Sequence, residues 1–136
     1  MKLTFSTKNV TRASFIDTCR YAYDYGYSGF EIYDAINERK QHYDSILRSE
    51  RTADSKRKLV NRALEVSALV YPYALEETEA TSETLLKYVD MARNAGIERI
   101  IVRNEKKVSN EVLKNKLSLA IERAEKSDIQ ILFESF

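Results

Sequence analysis

Asp128-Ile129-Gln130-Ile131-Leu132-Phe133-Glu134-Ser135-Phe136, the last nine residues of a 136-residue chain, hold an apolar run that ends on a carboxylate. A run this short and continuous reads as a strand buried on both faces, as strands of parallel sheets are. In parallel α/β folds the active site gathers at the C-terminal ends of the strands. Glu134 stands at that end of its strand and is the first candidate for chemistry.

Working back from this stretch, the chain alternates between helical and extended patterns. Val112, Leu113, Leu117, Ala120, Ile121 and Ala124 recur at helical spacing, with Ser109 placed to cap that helix. Arg99 to Arg103 is a β-branched strand, and before it Leu85, Leu86, Val89 and Ala92 mark a helix that opens at Ser82 and stops at Gly96. Glu65 to Val70 reads as a strand that Pro72 ends, because proline cannot donate to a central ladder. A basic helix over 54–62, with Lys56, Arg57, Lys58 and Arg62, precedes it, and residues 34–53 form a polar excursion that reads as a lid or as a solvated insertion. Gly29 to Tyr33 is another strand. Thr11 caps a helix carrying Phe15, Ile16, Cys19 and Ala22, which Gly26 stops. Lys2 to Ser6 fits a first strand.

Strands therefore begin near residues 3, 29, 64, 99 and 130, at intervals of 26, 35, 35 and 31. Strands alternating with helices at this interval imply repeated βαβ units and a parallel sheet. A doubly wound open sheet would carry a glycine-rich phosphate loop after a strand. All three glycines here precede or open strands instead. The pattern predicts an α/β chain of (β/α)8-barrel type, with β1 to β5 and four helices present in a single domain of residues 1–136.

Composition narrows the classes of function. With 43% apolar and 32% charged residues the chain belongs with globular domains. A net charge of +1, from 22 basic and 21 acidic residues, leaves no electrostatic footprint for nucleic acid or an anionic membrane. The single cysteine, Cys19, lies on an apolar helix face, where it packs, and points to a reducing, cytoplasmic setting. No apolar run approaches the roughly 20 residues needed to span a bilayer.

The passage Tyr23-Asp24-Tyr25-Gly26-Tyr27-Ser28-Gly29-Phe30-Glu31-Ile32 resembles the helix-to-strand turn of the sugar phosphate isomerase/epimerase superfamily, whose members are xylose-isomerase-like TIM barrels. Val66-Ser67-Ala68, Tyr88 to Gly96, and Ile131-Leu132-Phe133-Glu134 continue the similarity in order along the whole chain. The resemblance implies the N-terminal five-strand portion of such a barrel. It implies a divalent metal (manganese, magnesium, zinc or cobalt) with Glu134 as one of about four ligands, the others coming from later strands. It also places Glu31 inside the barrel near its mouth.

The candidates follow from these two readings. Glu134 and Glu31 are the catalytic candidates, and Glu134 is also the metal-ligand candidate. Arg103, at a strand end, suits a substrate phosphate or a carboxylate pair. Tyr33, Tyr71 and Tyr73 either line a sugar pocket or plug the barrel mouth. His42, the only histidine, contacts substrate from the excursion or simply sits on the surface. The expected activity is metal-dependent isomerisation or epimerisation of a sugar, sugar phosphate or cyclitol, as part of a longer barrel. The alternatives are a non-catalytic partial barrel that assembles with a second copy or with a missing half, and a phosphodiesterase of the endonuclease IV kind, against which the single histidine argues. The partners expected are a small sugar-like substrate and no nucleic acid or membrane.

Overall fold

The computed structural model describes residues 2–7, 15–33, 63–75, 81–104 and 109–134. The Thr11 cap, the excursion over 34–53 with His42, and the basic helix over 54–62 lie outside these residues. Eight elements follow in order: β1 (Thr4–Ser6), α1 (Phe15–Asp24), β2 (Gly29–Tyr33), β3 (Glu65–Ala74), α2 (Thr81–Ala95), β4 (Arg99–Arg103), α3 (Asn110–Lys126) and β5 (Gln130–Glu134). The five strands form one sheet in the order β1-β2-β3-β4-β5, and every neighbouring pair is parallel. Parallel neighbours in chain order need a crossover each, and the three described helices supply three of the four, on one face. The expected parallel α/β architecture is present.

The three described helices end in the same way. Tyr27 donates its backbone N–H to the Ala22 carbonyl at 2.9 Å, Ile97 to Ala92 at 2.9 Å, and Ile129 to Ala124 at 2.9 Å. Each bond spans five residues, the outer bond of a Schellman turn, and requires a left-handed residue just before the donor. Gly26 (φ 76°) and Gly96 (φ 69°) supply it after α1 and α2, and Asp128 (φ 55°) supplies it after α3. At the other end of α3, the Ser109 hydroxyl accepts from the Val112 N–H at 3.3 Å. Losing such a cap costs about 1 kcal/mol. Ser109→Ala is therefore expected to lower the melting temperature by a few degrees, and a thermal melt unchanged within error would contradict the cap's role.

The core lies between the sheet and the helices. Phe30, Ile32, Leu69, Tyr71, Ile100 and Val102 from the strands meet Cys19, Ala22, Leu85, Tyr88, Val89 and Ala92 from the helices. Burying a side chain such as Leu85 or Val89 fully contributes roughly 1.5–3 kcal/mol. Asp90 on α2 holds Arg123 of α3 at 3.1 Å and Arg93 at 3.9 Å, a half-exposed network that adds little energy but fixes the helix pair.

Three expectations change here. Strand β5 is not buried on both faces, since Leu132 and Phe133 are 43% and 45% exposed. Pro72 does not end its strand: β3 runs on to Ala74. Four residues of β3, from Val70 to Ala74, pass while β4 advances two, from Ile101 to Arg103, so the ladder slips where proline has no N–H to offer. Val112 and Ile121 are not in a buried stripe, since each is 40% exposed, while Ala120 and Ala124 are buried. Helix α3 flanks β5, the last strand of the sheet, so no described element covers its outer side.

Candidate functional site: a carboxylate pair on the concave face

Register decides which strand residues share a face. Ser6 pairs with Glu31, and Glu31 with Ala68, while Tyr33, Val70, Ile101 and Leu132 form the next row. Arg103 pairs with Glu134. These side chains alternate with the helix-facing core residues, so they stand on the face of the sheet away from the helices. Ser6, Glu31, Tyr33, Arg103 and Glu134 thus gather near the C-terminal ends of four strands. A one-residue irregularity between Phe30 and Glu31 sets this phase: Phe30 faces Val66, but Glu31 faces Ala68.

Glu31 is the chemically distinctive member. Burial pushes its carboxyl pKa up, the Ser6 hydroxyl donating to it pulls it partly back, and the negative charge of Glu134 pushes it up further. Strands β3 and β4 lie between Glu31 and Glu134 in the sheet order, yet the Glu134 charge reaches Glu31. It does so because both side chains stand on the same face of the sheet, which curls towards that side.

Folding raises the Glu31 pKa above its ordinary value of 4.5, so the folded chain binds that proton more tightly than the unfolded chain. Stability then falls as pH rises from that value through the raised one. Glu31→Gln removes this cost and is expected to melt higher than wild type near pH 7, on the order of 1–3 °C, since the half-buried group is partly screened by water. Below about pH 4 both states of the wild type are protonated and the gap should close. A variant that melts lower than wild type near neutrality would defeat this account.

The neighbours frame the pair. The Arg103 guanidinium lies over the Tyr33 ring, 5.9 Å from its centroid. The Tyr33 backbone N–H donates to the Thr7 hydroxyl at 2.9 Å, which ties the end of β2 to the residue after β1. Thr7 is buried, and so is Asn104, the residue after Arg103. Neither Ser6 nor Thr7 is legible in the sequence as part of a site, because only the β1–β2 register brings them to Glu31 and Tyr33.

Of the sequence candidates, the structure brings Glu31, Tyr33, Arg103 and Glu134 to one concave face. Tyr71 is a correction. Its side chain is 1% exposed and lies on the helix side, edge-on to Tyr88 at 5.2 Å and to Tyr73 at 5.5 Å. A strand of alternating faces cannot present both Val70 and Tyr71 to the same side. Tyr73 also packs against the core. His42 lies outside the described residues.

Carboxylates and a hydroxyl are hard oxygen donors suited to a divalent cation. Among the described residues, however, no three His, Cys, Asp or Glu side chains gather, so these residues do not make a complete metal site. No described helix is long and apolar enough to cross a membrane.

No protein-family model and no curated protein sequence matches the chain. Solved structures do. A sugar phosphate isomerase/epimerase from Parabacteroides distasonis aligns with TM-score 0.68 and 19% identity, over 98% of this chain and 51% of its own. The 3-keto-D-glucoside 4-epimerase of E. coli aligns with TM-score 0.70 and 13% identity, over 98% and 55%. A protein named IolI, solved with a bound zinc atom, aligns with TM-score 0.68 and 17% identity, over 99% and 51%. This chain spans about half the length of each. At these identities the likeness speaks for the fold: five parallel strands with their helices, making part of a TIM barrel of the kind found in xylose-isomerase-like and sugar phosphate isomerase/epimerase proteins.

Proposed function

We propose that the chain provides the proton-transfer carboxylates of a barrel that isomerises or epimerises a sugar, sugar phosphate or cyclitol. The observation that carries this reading is Glu31, a half-buried carboxyl with a raised pKa, held by Ser6 and facing a second carboxylate. A base of this kind is tuned towards neutrality, where proton abstraction from carbon is most efficient. In such a reaction the substrate carries a carbonyl next to a C–H bond. Glu31 would take that proton and return it to the same or the neighbouring carbon. Glu134 would keep the Glu31 pKa high and offer a second oxygen donor to a hydroxyl. The Tyr33 ring and Arg103 form one wall, where an apolar sugar face and an oxyanion or phosphate would lie. A bound divalent cation would polarise the carbonyl, with Glu134 as one ligand and the others from outside the described residues.

The test is solvent isotope exchange. The folded chain, incubated with D-fructose or D-xylulose in D2O, is expected to place deuterium on the carbon beside the carbonyl faster than buffer alone, read by proton NMR. Exchange at the buffer rate, with and without added manganese or zinc, would defeat the reading.

A further inference from the structure

The wall made by Arg103 and Tyr33 stands where the sheet has just lost its regular pairing. Strand β3 lies between β2, which carries Tyr33, and β4, which carries Arg103, so the guanidinium and the ring meet across β3, 5.9 Å apart. At that end β3 and β4 have slipped: Val70 pairs with Ile101, but the next pair is Ala74 with Arg103. Pro72, inside the slip, has no N–H to give. Past the slip the Leu75 N–H donates to the Arg103 carbonyl at 3.0 Å and closes the ladder again. A side chain from the helix layer holds that closure. Lys116, in the second turn of α3, donates its Nζ to the Leu75 carbonyl in a partly buried bond. The Lys116 carbonyl in turn accepts from the Ser82 hydroxyl, at the start of α2, at 3.4 Å. Leu75 is itself fully buried in the core. Its side chain and its carbonyl are thus both anchored on the helix side, while its N–H is committed to Arg103.

We infer that Lys116 is a positioning residue for the concave site: it holds Leu75, Leu75 holds the end of β4 at Arg103, and the Arg103 guanidinium is thereby kept on the Tyr33 ring. Lys116 acts from the helix side of the sheet and not by contact with substrate. An ammonium donor makes a stronger hydrogen bond to a carbonyl than a neutral donor does. Here that bond replaces the ladder contact that proline takes away, at the one strand that separates the two members of the wall. Without it the end of β3 is free to shift along β4, and the guanidinium that reaches across β3 shifts with it. The inference rests on the proposed role of the Arg103–Tyr33 wall, but its readout is local geometry rather than isotope exchange into a sugar, so either can fail alone.

The experiment compares the wild-type chain with three variants by NMR. Lys116→Met keeps an unbranched stem and removes the donor, Lys116→Arg restores a donor, and Lys114→Met removes an exposed lysine from the same helix. In Lys116→Met the Leu75 amide is expected to exchange with solvent about 10- to 100-fold faster, the local effect of losing a charged hydrogen bond, while the Tyr27 amide that closes α1 keeps its rate. The second readout is the ring-current shift that the Tyr33 ring imposes on the Arg103 side-chain protons. It should shrink in Lys116→Met, recover in Lys116→Arg and stay unchanged in Lys114→Met. Arg103 signals that keep their wild-type positions in Lys116→Met would overturn the inference. So would equal acceleration of both amides, or failure of Lys116→Met to fold, since either would make Lys116 a support of the whole fold.

Discussion

Gly29→Ala is expected to prevent folding, with loss of a cooperative melt and of near-ultraviolet circular dichroism. Gly29 opens β2 and is buried against β3, where it pairs with Glu65. A Cβ built there would overlap the Glu65 carbonyl oxygen and stand 2.9 Å from its carbonyl carbon and 3.1 Å from its nitrogen. Those atoms belong to the backbone of a central strand, and the Glu65 N–H already donates to the Ser28 carbonyl at 3.1 Å. No side chain can swing aside to make room. Ordinary overpacking costs about 1–3 kcal/mol because side chains yield, whereas here the β2–β3 ladder itself must separate. The cost should exceed about 4 kcal/mol, a large share of the 5–15 kcal/mol that holds a typical domain together. Gly26→Ala is the internal comparison. Its φ of 76° disfavours a side chain, but nothing lies within 4 Å of the added carbon. Only the left-handed strain of about 1–2 kcal/mol remains. Gly29→Ala melting within a few degrees of Gly26→Ala would show that the sheet tolerates the displacement.

The contrast between those two glycines shows what the sequence discloses. Both punctuate the same helix-to-strand turn, and the pattern around them places a strand at Gly29 to Tyr33. Nothing in the pattern distinguishes a glycine needed for its dihedral angle from one needed for space, since the second depends on a strand 36 residues away. The same limit explains the other departures. Hydrophobic spacing locates β3, but proline looked like a terminator because the register slip that accommodates Pro72 is a property of two strands together. Asp128 ends α3 in the conformation that glycine adopts elsewhere, so a reading keyed to glycine finds only two of the three described helix ends. At the site, position along a strand marks Glu31, Tyr33, Arg103 and Glu134 as residues near strand ends. Facing is harder. A single residue of phase separates Val70, on the concave side, from Tyr71, locked against Tyr88. The Ser6–Glu31 bond and the influence of the Glu134 charge on Glu31 arise only from pairing and curvature, which no local pattern encodes.

Glu31→Gln should reduce the deuterium exchange rate by about 10²–10⁴, the usual loss when a general base is removed. The substitution keeps the shape of the side chain and leaves an amide oxygen for the Ser6 hydroxyl, so it removes proton affinity and little else. A fold defect is not expected, because the charged form is the one that burial penalises. The pH profile separates a base from a merely structural carboxylate. If Glu31 accepts the substrate proton, wild-type exchange rises with pH through its raised pKa, where the carboxyl ionises. Glu134→Gln removes the negative charge that helps to hold that pKa up, so the rising limb should move to lower pH. The base is then weaker, and the rate on the plateau should fall modestly as well. A structural role for Glu31 predicts a different pair of results: a rate that follows the folded fraction alone, and a limb that stays in place when Glu134 is neutralised. An exchange rate in Glu31→Gln within threefold of wild type would leave the concave carboxylates without a chemical role. A displaced limb in Glu134→Gln together with loss of exchange in Glu31→Gln would tie the two residues to one proton, across the two strands that separate them.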